Sequence, residues 1–329
     1  MKQWHRRIVS AALAVAGFSL LGAPQVQAQT FPDRAVRLIV GFPPGGSGDF
    51  IARVLAQPLA EELGQPVIVD NRPGAGSNIA TTAVARAEPD GYTLLLGGNF
   101  SHGVNPTLFK KVNFDPVSDF TPITKVTDLP VIVAVRSDTG IRTLQELIER
   151  IKAEPGKWDY ATPGNGTPSH LAGEQLKKYG GIDVTHIPFR GSGPAMQAVL
   201  GGDIPLTIGT PPVILPQVTA GTLTALSVTT RERVPVIPDI PGTREAGLPD
   251  LNLQGWWGLW APAGIPAQAR DRLFEAMTRV LALPDVKERL AKEGLHVTPS
   301  ASPDAFEAYV KEEIPFWRDV VLQTGVVVD

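Results

Sequence analysis

Three glycine-rich loops place hydroxyl side chains where helices begin: residues 44–49 (PGGSGD), 163–170 (PGNGTPSH) and 190–194 (RGSGP). Each follows a short apolar run, which sets it at the carboxyl end of a strand. The first turn of a helix leaves backbone N–H groups without partners and points the positive end of its dipole outward. Glycines let a ligand oxygen approach that backbone, and Ser47, Thr167 and Ser192 add hydroxyl donors that rotate to suit it. This chemistry suits a carboxylate. A single such loop is better explained as a turn with an N-cap. Three of them at the edge where open α/β sheets bind ligands are read as a site.

Motifs for other chemistry are missing. Residues 41–50 (GFPPGGSGDF) lack the Gly-Lys-Ser/Thr ending of a phosphate loop, and Gly74-Ala75-Gly76 lacks the third glycine of a dinucleotide fingerprint. Gly98 stands one residue too far from Ser101 for a nucleophile elbow. Ser101 beside His102 leaves a serine hydrolase as a remote alternative, although neighbours in sequence rarely point at each other. No Cys occurs, and of the five histidines His102, His170, His186 and His296 follow the N-terminal leader with no pair at metal-ligand spacing. Neither a metal nor a cofactor is expected, and the chain is read as a binding protein rather than an enzyme.

The leader is read from a basic start (MKQWHRR), an apolar run too short to span a membrane, and small residues at Val26-Gln27-Ala28. Residues 1–28 are expected to be a signal peptide, which makes the mature protein periplasmic, soluble and free of a lipid anchor. Their removal takes away Lys2, Arg6 and Arg7 and no acidic residue, so the formal charge goes from −3 to −6. A mildly acidic, evenly mixed surface offers nothing to nucleic acid or an anionic membrane, and a monomer is expected.

Periodicity supplies the elements that hold the loops. Strand-like runs at 36–40, 67–69 and 93–96 alternate with helical patterns at 49–63, where Pro58 predicts a kink, and 79–87. A second set opens with the capping box at Thr143 and runs through strand 158–161, helix 169–179, strand 184–188, helix 194–200, strand 204–208, helix 213–220 and strand 224–228. The stretches 120–137 and 253–264 have no helical period and are expected to cross between two α/β units. Domain 1 is then 29–130 with 251–329, and domain 2 is 131–250, inserted. Trp256, Trp257 and Trp260 have faces that can stack on a ligand but are read first as packing at the hinge, while Phe42, Phe100 and Thr210 are read as shaping the far end of the ligand site.

The ordered set of motifs is specific. Val36–Val40 leading to Pro43-Pro44-Gly45-Gly46-x-x-Asp49, then residues 69–76 (VDNRPGAG), 89–95 (PDGYTLL), Gly164-Asn165-Gly166-Thr167 with 170–173 (HLAG), and 188–195 (PFRGSGPA) resemble the Bug-type receptors of tripartite tricarboxylate transporters. The resemblance extends through Ala261-Pro262-Ala263-Gly264 and the terminal helices. It implies a type II periplasmic-binding-protein fold: two α/β domains, joined by two crossover strands, closing around a ligand cleft. It also implies a small organic carboxylate as ligand and, as partner, either the permease subunits of the transporter or a membrane sensor. Carried over, the first jaw is Gly46, Ser47 and Gly48, braced by Asp49, and the second is Gly164, Asn165, Thr167 and His170. Ser101 and His102 would lie in a third binding loop. Gly48 stands where the family often has Thr, and Pro205 and Gly209-Thr210 stand where it usually has Asp and Asp-Asn. With those carboxylates gone, a ligand without an α-amino group is expected.

Overall fold

The computed structural model describes residues 31–326 and 328; the signal-peptide reading of residues 1–28 lies outside them. Two five-stranded sheets form the molecule. The first runs β2-β1-β3-β10-β4, with β1 (Val36–Val40), β2 (Val67–Asn71) and β3 (Thr93–Gly98) parallel, β10 (Gly255–Pro262) antiparallel to β3, and β4 (Phe120–Leu129) antiparallel to β10. The second runs β7-β6-β8-β5-β9, with β6 (Asp159–Thr162), β7 (Thr185–Pro188) and β8 (Leu206–Gly209) parallel and β5 (Ile132–Arg136) antiparallel to both β8 and β9 (Leu223–Val228).

The inner strands, such as β1, β3, β5 and β8, form because their residues are mostly apolar and buried on both faces, as suits sheets covered by helices on each side, whereas the edge strands β2 and β7 are only partly buried. Leu38 and Val40 face one layer with Ile51, Leu55 and Leu59 of α1 (Ser47–Leu63), and Ile39 faces the other with Ala80 and Val84 of α2 (Asn78–Ala85). Helix α1 runs unbroken through Pro58. The four loops that matter leave carboxyl ends of strands. β1 feeds α1, β6 feeds α5 (Pro168–Gly180), β7 feeds α6 (Ser192–Gly201) and β8 feeds α7 (Pro211–Thr219); between them in sequence lie the short α3 (Asn105–Leu108) and α4 (Leu144–Ala153).

The chain leaves the first sheet at Leu129 and enters the second at Ile132. Strand β10 lies wholly in the first sheet, so the return is made by residues 229–254 ahead of it rather than by 253–264 as a whole. The two connections are hydrogen bonded side by side: Thr229 N–H donates to Val131 O at 2.9 Å, Leu253 N–H to Thr229 O at 2.8 Å, and Thr229 Oγ1 to Leu253 O at 2.7 Å. After α8 (Ala267–Ala282) and α9 (Pro284–Lys292), the 22-residue α10 (Pro303–Thr324) straddles both domains. Phe306 and Val310 pack with Trp256 and Trp260 on the first sheet, while Trp317, Val320 and Val321 join the core of the second. Glu313, between them, accepts hydrogen bonds from the indole N–H groups of Trp256 and Trp317, each at 2.8 Å.

Candidate functional site: a cleft ringed by helix N-termini

The first jaw is a turn that only glycine makes easily, with φ +87° at Gly45, followed by Gly46 as the N-cap of α1. Asp49 holds that turn from behind. Its carboxylate accepts from Gly45 N–H at 3.1 Å and pairs with Arg53 at 3.0 Å. Burial pushes its pKa up, but the Arg53 and Gly45 hydrogen bonds outweigh this and hold it below the ordinary value. Asp49 does not line the cleft.

The second jaw rests on φ +136° at Gly164 and +77° at Gly166. Thr167 Oγ1 donates to Gly164 O at 2.8 Å and accepts from His170 N–H at 3.3 Å, so its only hydrogen is spent inside the loop. Gly166 N–H donates to His170 Nδ1 at 3.2 Å, and the His170 ring lies flat on His186, 4.2 Å between centroids. Burial lowers the pKa of His170 to about 4, which keeps Nδ1 an acceptor. His170 therefore supports the loop from beneath and lines no part of the cleft.

Ser101 and His102 are also placed away from the ligand. They sit in a π-type turn, Phe100–Val104, and their side chains do meet, Ser101 Oγ to His102 Nδ1 at 2.9 Å. Both are fully buried, with His102 stacked on Trp260 at 3.9 Å, and burial takes its pKa to about 3. A third binding loop at these side chains is corrected: the pair is sealed in the core of the first domain.

The cleft itself has two adjoining chambers that share wall residues. The inner one, of about 30 Å³, is lined by Gly46, Ser47 and Gly48 at the start of α1, by Thr167 and Ser169 at the start of α5, by Ser192 at the start of α6, and by Thr210 at the start of α7. Four helix N-termini thus converge on one space, and no charged side chain lines it among the described residues. Phe42, Phe100 and Trp257 close its far side, meeting edge to face at centroid distances from 4.8 to 6.0 Å. The outer chamber, of about 650 Å³, shares Phe42 and Thr167 with the inner one and adds Gly164, Asn165, the 74–77 turn and Arg190, the one charged group on its wall among the described residues. The jaws are shut: a Cβ on Gly191 would stand 2.9 Å from Pro43, and one on Gly46 would stand 3.5 Å from Ser192 Oγ.

Of the residues expected from the sequence, Phe42, Gly46, Ser47, Gly48, Thr167, Ser192 and Thr210 share the inner chamber, and Gly164 and Asn165 line the outer one. Ser169 and Trp257 were missed as lining residues. With Thr210 they carry the three polar atoms of the chamber that are buried without a protein partner: Ser169 Oγ, Thr210 Oγ1 and Trp257 Nε1. A buried donor left unpaired costs about 1–3 kcal/mol, so three around one space point to a ligand that accepts from them.

Two α/β domains shutting on a cleft at the carboxyl ends of their strands define a solute-binding receptor of the periplasmic type. Residues 51–326 match the family described as tripartite tricarboxylate transporter family receptor, and the chain belongs to that family of periplasmic proteins. Protein BugT of Bordetella pertussis is 35% identical over 320 residues, which span 97% of this chain and 96% of that protein. Among solved structures, periplasmic binding protein BugD is 37% identical with a TM-score of 0.84, covering 90% of this chain and 99% of that one. MatC from Rhodopseudomonas palustris with bound malate is 36% identical with a TM-score of 0.82, covering 88% and 100%. An R. palustris protein with adipate is 31% identical with a TM-score of 0.87, covering 90% and 99%.

Proposed function

We propose that this protein is a periplasmic receptor that captures a small organic carboxylate lacking an α-amino group and hands it to the membrane permease of a tripartite tricarboxylate transporter, performing no chemistry on it. The convergence of four helix N-termini on a chamber without charged side chains carries this reading. Aligned N–H dipoles stabilise one negative charge without a counter-ion, and each N-terminus holds the equivalent of about half a positive charge. Among the described residues no Asp or Glu lines either chamber, so an ammonium group would meet no carboxylate partner there. Malate and adipate in two related receptors support the same ligand class. Domain 1, 29–130 with 251–329, and domain 2, 131–250, would rotate about the Val131–Thr229–Leu253 contact, because a ligand held by both jaws favours the closed state.

Calorimetric titration of the mature chain against organic acids and amino acids tests the binding step. Binding of simple carboxylates and rejection of their α-amino counterparts is expected; the reverse preference refutes the reading. Deletion of the gene followed by uptake and induction assays tests the delivery step, and loss of induction with uptake intact would assign the receptor to a sensor.

A further inference from the structure

We propose that Trp257 and Gly48 are a matched pair that sets which acid the receptor accepts, with the Trp257 indole N–H donating to the carboxylate in the inner chamber. The proposal deepens the carboxylate reading above and rests on it. Trp257 is 2% exposed, and its Nε1 has no protein acceptor. Two other buried indoles nearby, Trp256 and Trp317, are both satisfied by Glu313. Trp257 alone of these three faces the chamber, and its ring is held there by Phe42 and Phe100.

Gly48 explains how the ring fits. It stands in the first turn of α1, where glycine is the poorest ordinary helix former, and its φ is not in the left-handed region that would call for glycine. A Cβ there would come within 2.5 Å of Trp257 Cη2 and 3.1 Å of Cζ2 and Cζ3. Those are ring atoms packed in a core, with no flexible end to move aside. Position 48 is glycine because the indole fills the space, and the indole supplies the donor that a hydroxyl at position 48 would otherwise give.

The pair also fixes how much of the ligand enters. The inner chamber is much the smaller of the two, about 30 Å³, so it receives the carboxylate end of the acid. The body of the acid lies in the outer chamber of about 650 Å³.

The test titrates the mature chain and its variants with straight-chain mono- and dicarboxylates (propionate, butyrate, succinate, adipate) and their α-hydroxy counterparts. The unaltered protein is expected to bind at least one of these acids. Trp257→Phe and Gly48→Ala should each lose tenfold or more in affinity for the best of them. In the Trp257→Phe background, Gly48→Ala should cost less than twofold, because the shorter ring leaves room for the methyl group. A measurement on the unaltered chain guards against a folding defect: its Trp257 indole N–H resonance should move downfield on adding the acid. Full affinity in Trp257→Phe, additive losses in the double variant, or a stationary resonance overturns the pairing and leaves the carboxylate reading standing. Failure of every acid to bind the unaltered chain overturns both.

Discussion

Replacing Thr210 with Val separates a ligand-binding role from a capping role. Thr210 is the N-cap of α7, yet its side chain makes no capping hydrogen bond, and its hydroxyl is buried without a protein partner on the wall of the inner chamber. Val keeps the shape and removes the hydroxyl, so no bond within the protein is lost and stability should change by less than about 0.5 kcal/mol. A hydrogen bond to a charged group is worth about 1.5–3 kcal/mol, and each 1.4 kcal/mol is tenfold, so the dissociation constant should rise roughly tenfold to somewhat over a hundredfold. Thr143 is the internal control. Its hydroxyl accepts from Glu146 N–H at 3.1 Å as a working cap on α4, so Thr143→Val should cost about 1 kcal/mol of stability and leave binding alone. Urea melts and calorimetry on the two variants read both quantities. A Thr210→Val protein that melts like Thr143→Val and binds like the unaltered chain would refute the reasoning.

Other consequences follow from the same geometry. Thr167→Ala removes a cap and a loop bond together, so a stability loss of about 1–2 kcal/mol is expected, visible as a lower urea midpoint without ligand; an unchanged midpoint would return the hydroxyl to the ligand. Asp49→Asn keeps an acceptor for Gly45 N–H but loses the ion pair with Arg53, which should weaken ligand binding through the first jaw, measurably by calorimetry, while the cleft's lining is untouched. Burial depresses the pKa of His102 to about 3 and of His170 to about 4, against 6.5 in the unfolded chain. The unfolded state therefore takes up protons first as the medium is acidified. The stability these groups contribute is whole above about pH 6.5 and is lost towards the folded values. For the pair the loss is on the order of 4 kcal/mol between pH 7 and pH 5. Burial also takes the pKa of His186 to about 3, so it adds a similar loss; urea midpoints at the two pH values should show the sum, and His102→Leu should remove about a third of it, whereas equal midpoints would contradict the neutral, buried state of these rings.

The alternation of apolar runs with amphipathic stretches made the α/β class legible, because a strand covered on both faces and a helix covered on one leave different periods. The run 36–40 is β1 to the residue. Helix starts were less legible, and the error has one direction. Helices α1, α5, α6 and α7 begin at Ser47, Pro168, Ser192 and Pro211, each one or two residues before the position read from periodicity. The first turn lacks internal N–H bonds, so it tolerates the glycines and prolines that read as loop. Those early residues are the ones that face the ligand. The turns at 75–77 and 100–104 escaped notice because neither has a hydrophobic period of its own.

Side-chain roles were readable only as far as residue type goes. Ser47, Thr167, Ser169, Ser192 and Thr210 are all small hydroxyl residues at helix starts, and in sequence each is a cap or a ligand donor with equal right. Hydrogen-bond accounting in three dimensions divides them: Thr167 spends its hydrogen on Gly164, whereas Ser169 and Thr210 have no protein partner to spend it on. The tryptophans show the same limit from the other side. Alternation along β10 puts Trp256 and Trp260 on one face and Trp257 on the opposite one, and the structure keeps that division, with Trp257 in the core that α1 covers. Which face meets the cleft depends on the partner domain, whose cleft strands lie about 50 to 100 residues earlier in the chain. Reading all three rings as hinge packing followed from treating the run as a composition. Had the parity been followed, position 257 would have stood out as the ring on the same side of the sheet as Gly48.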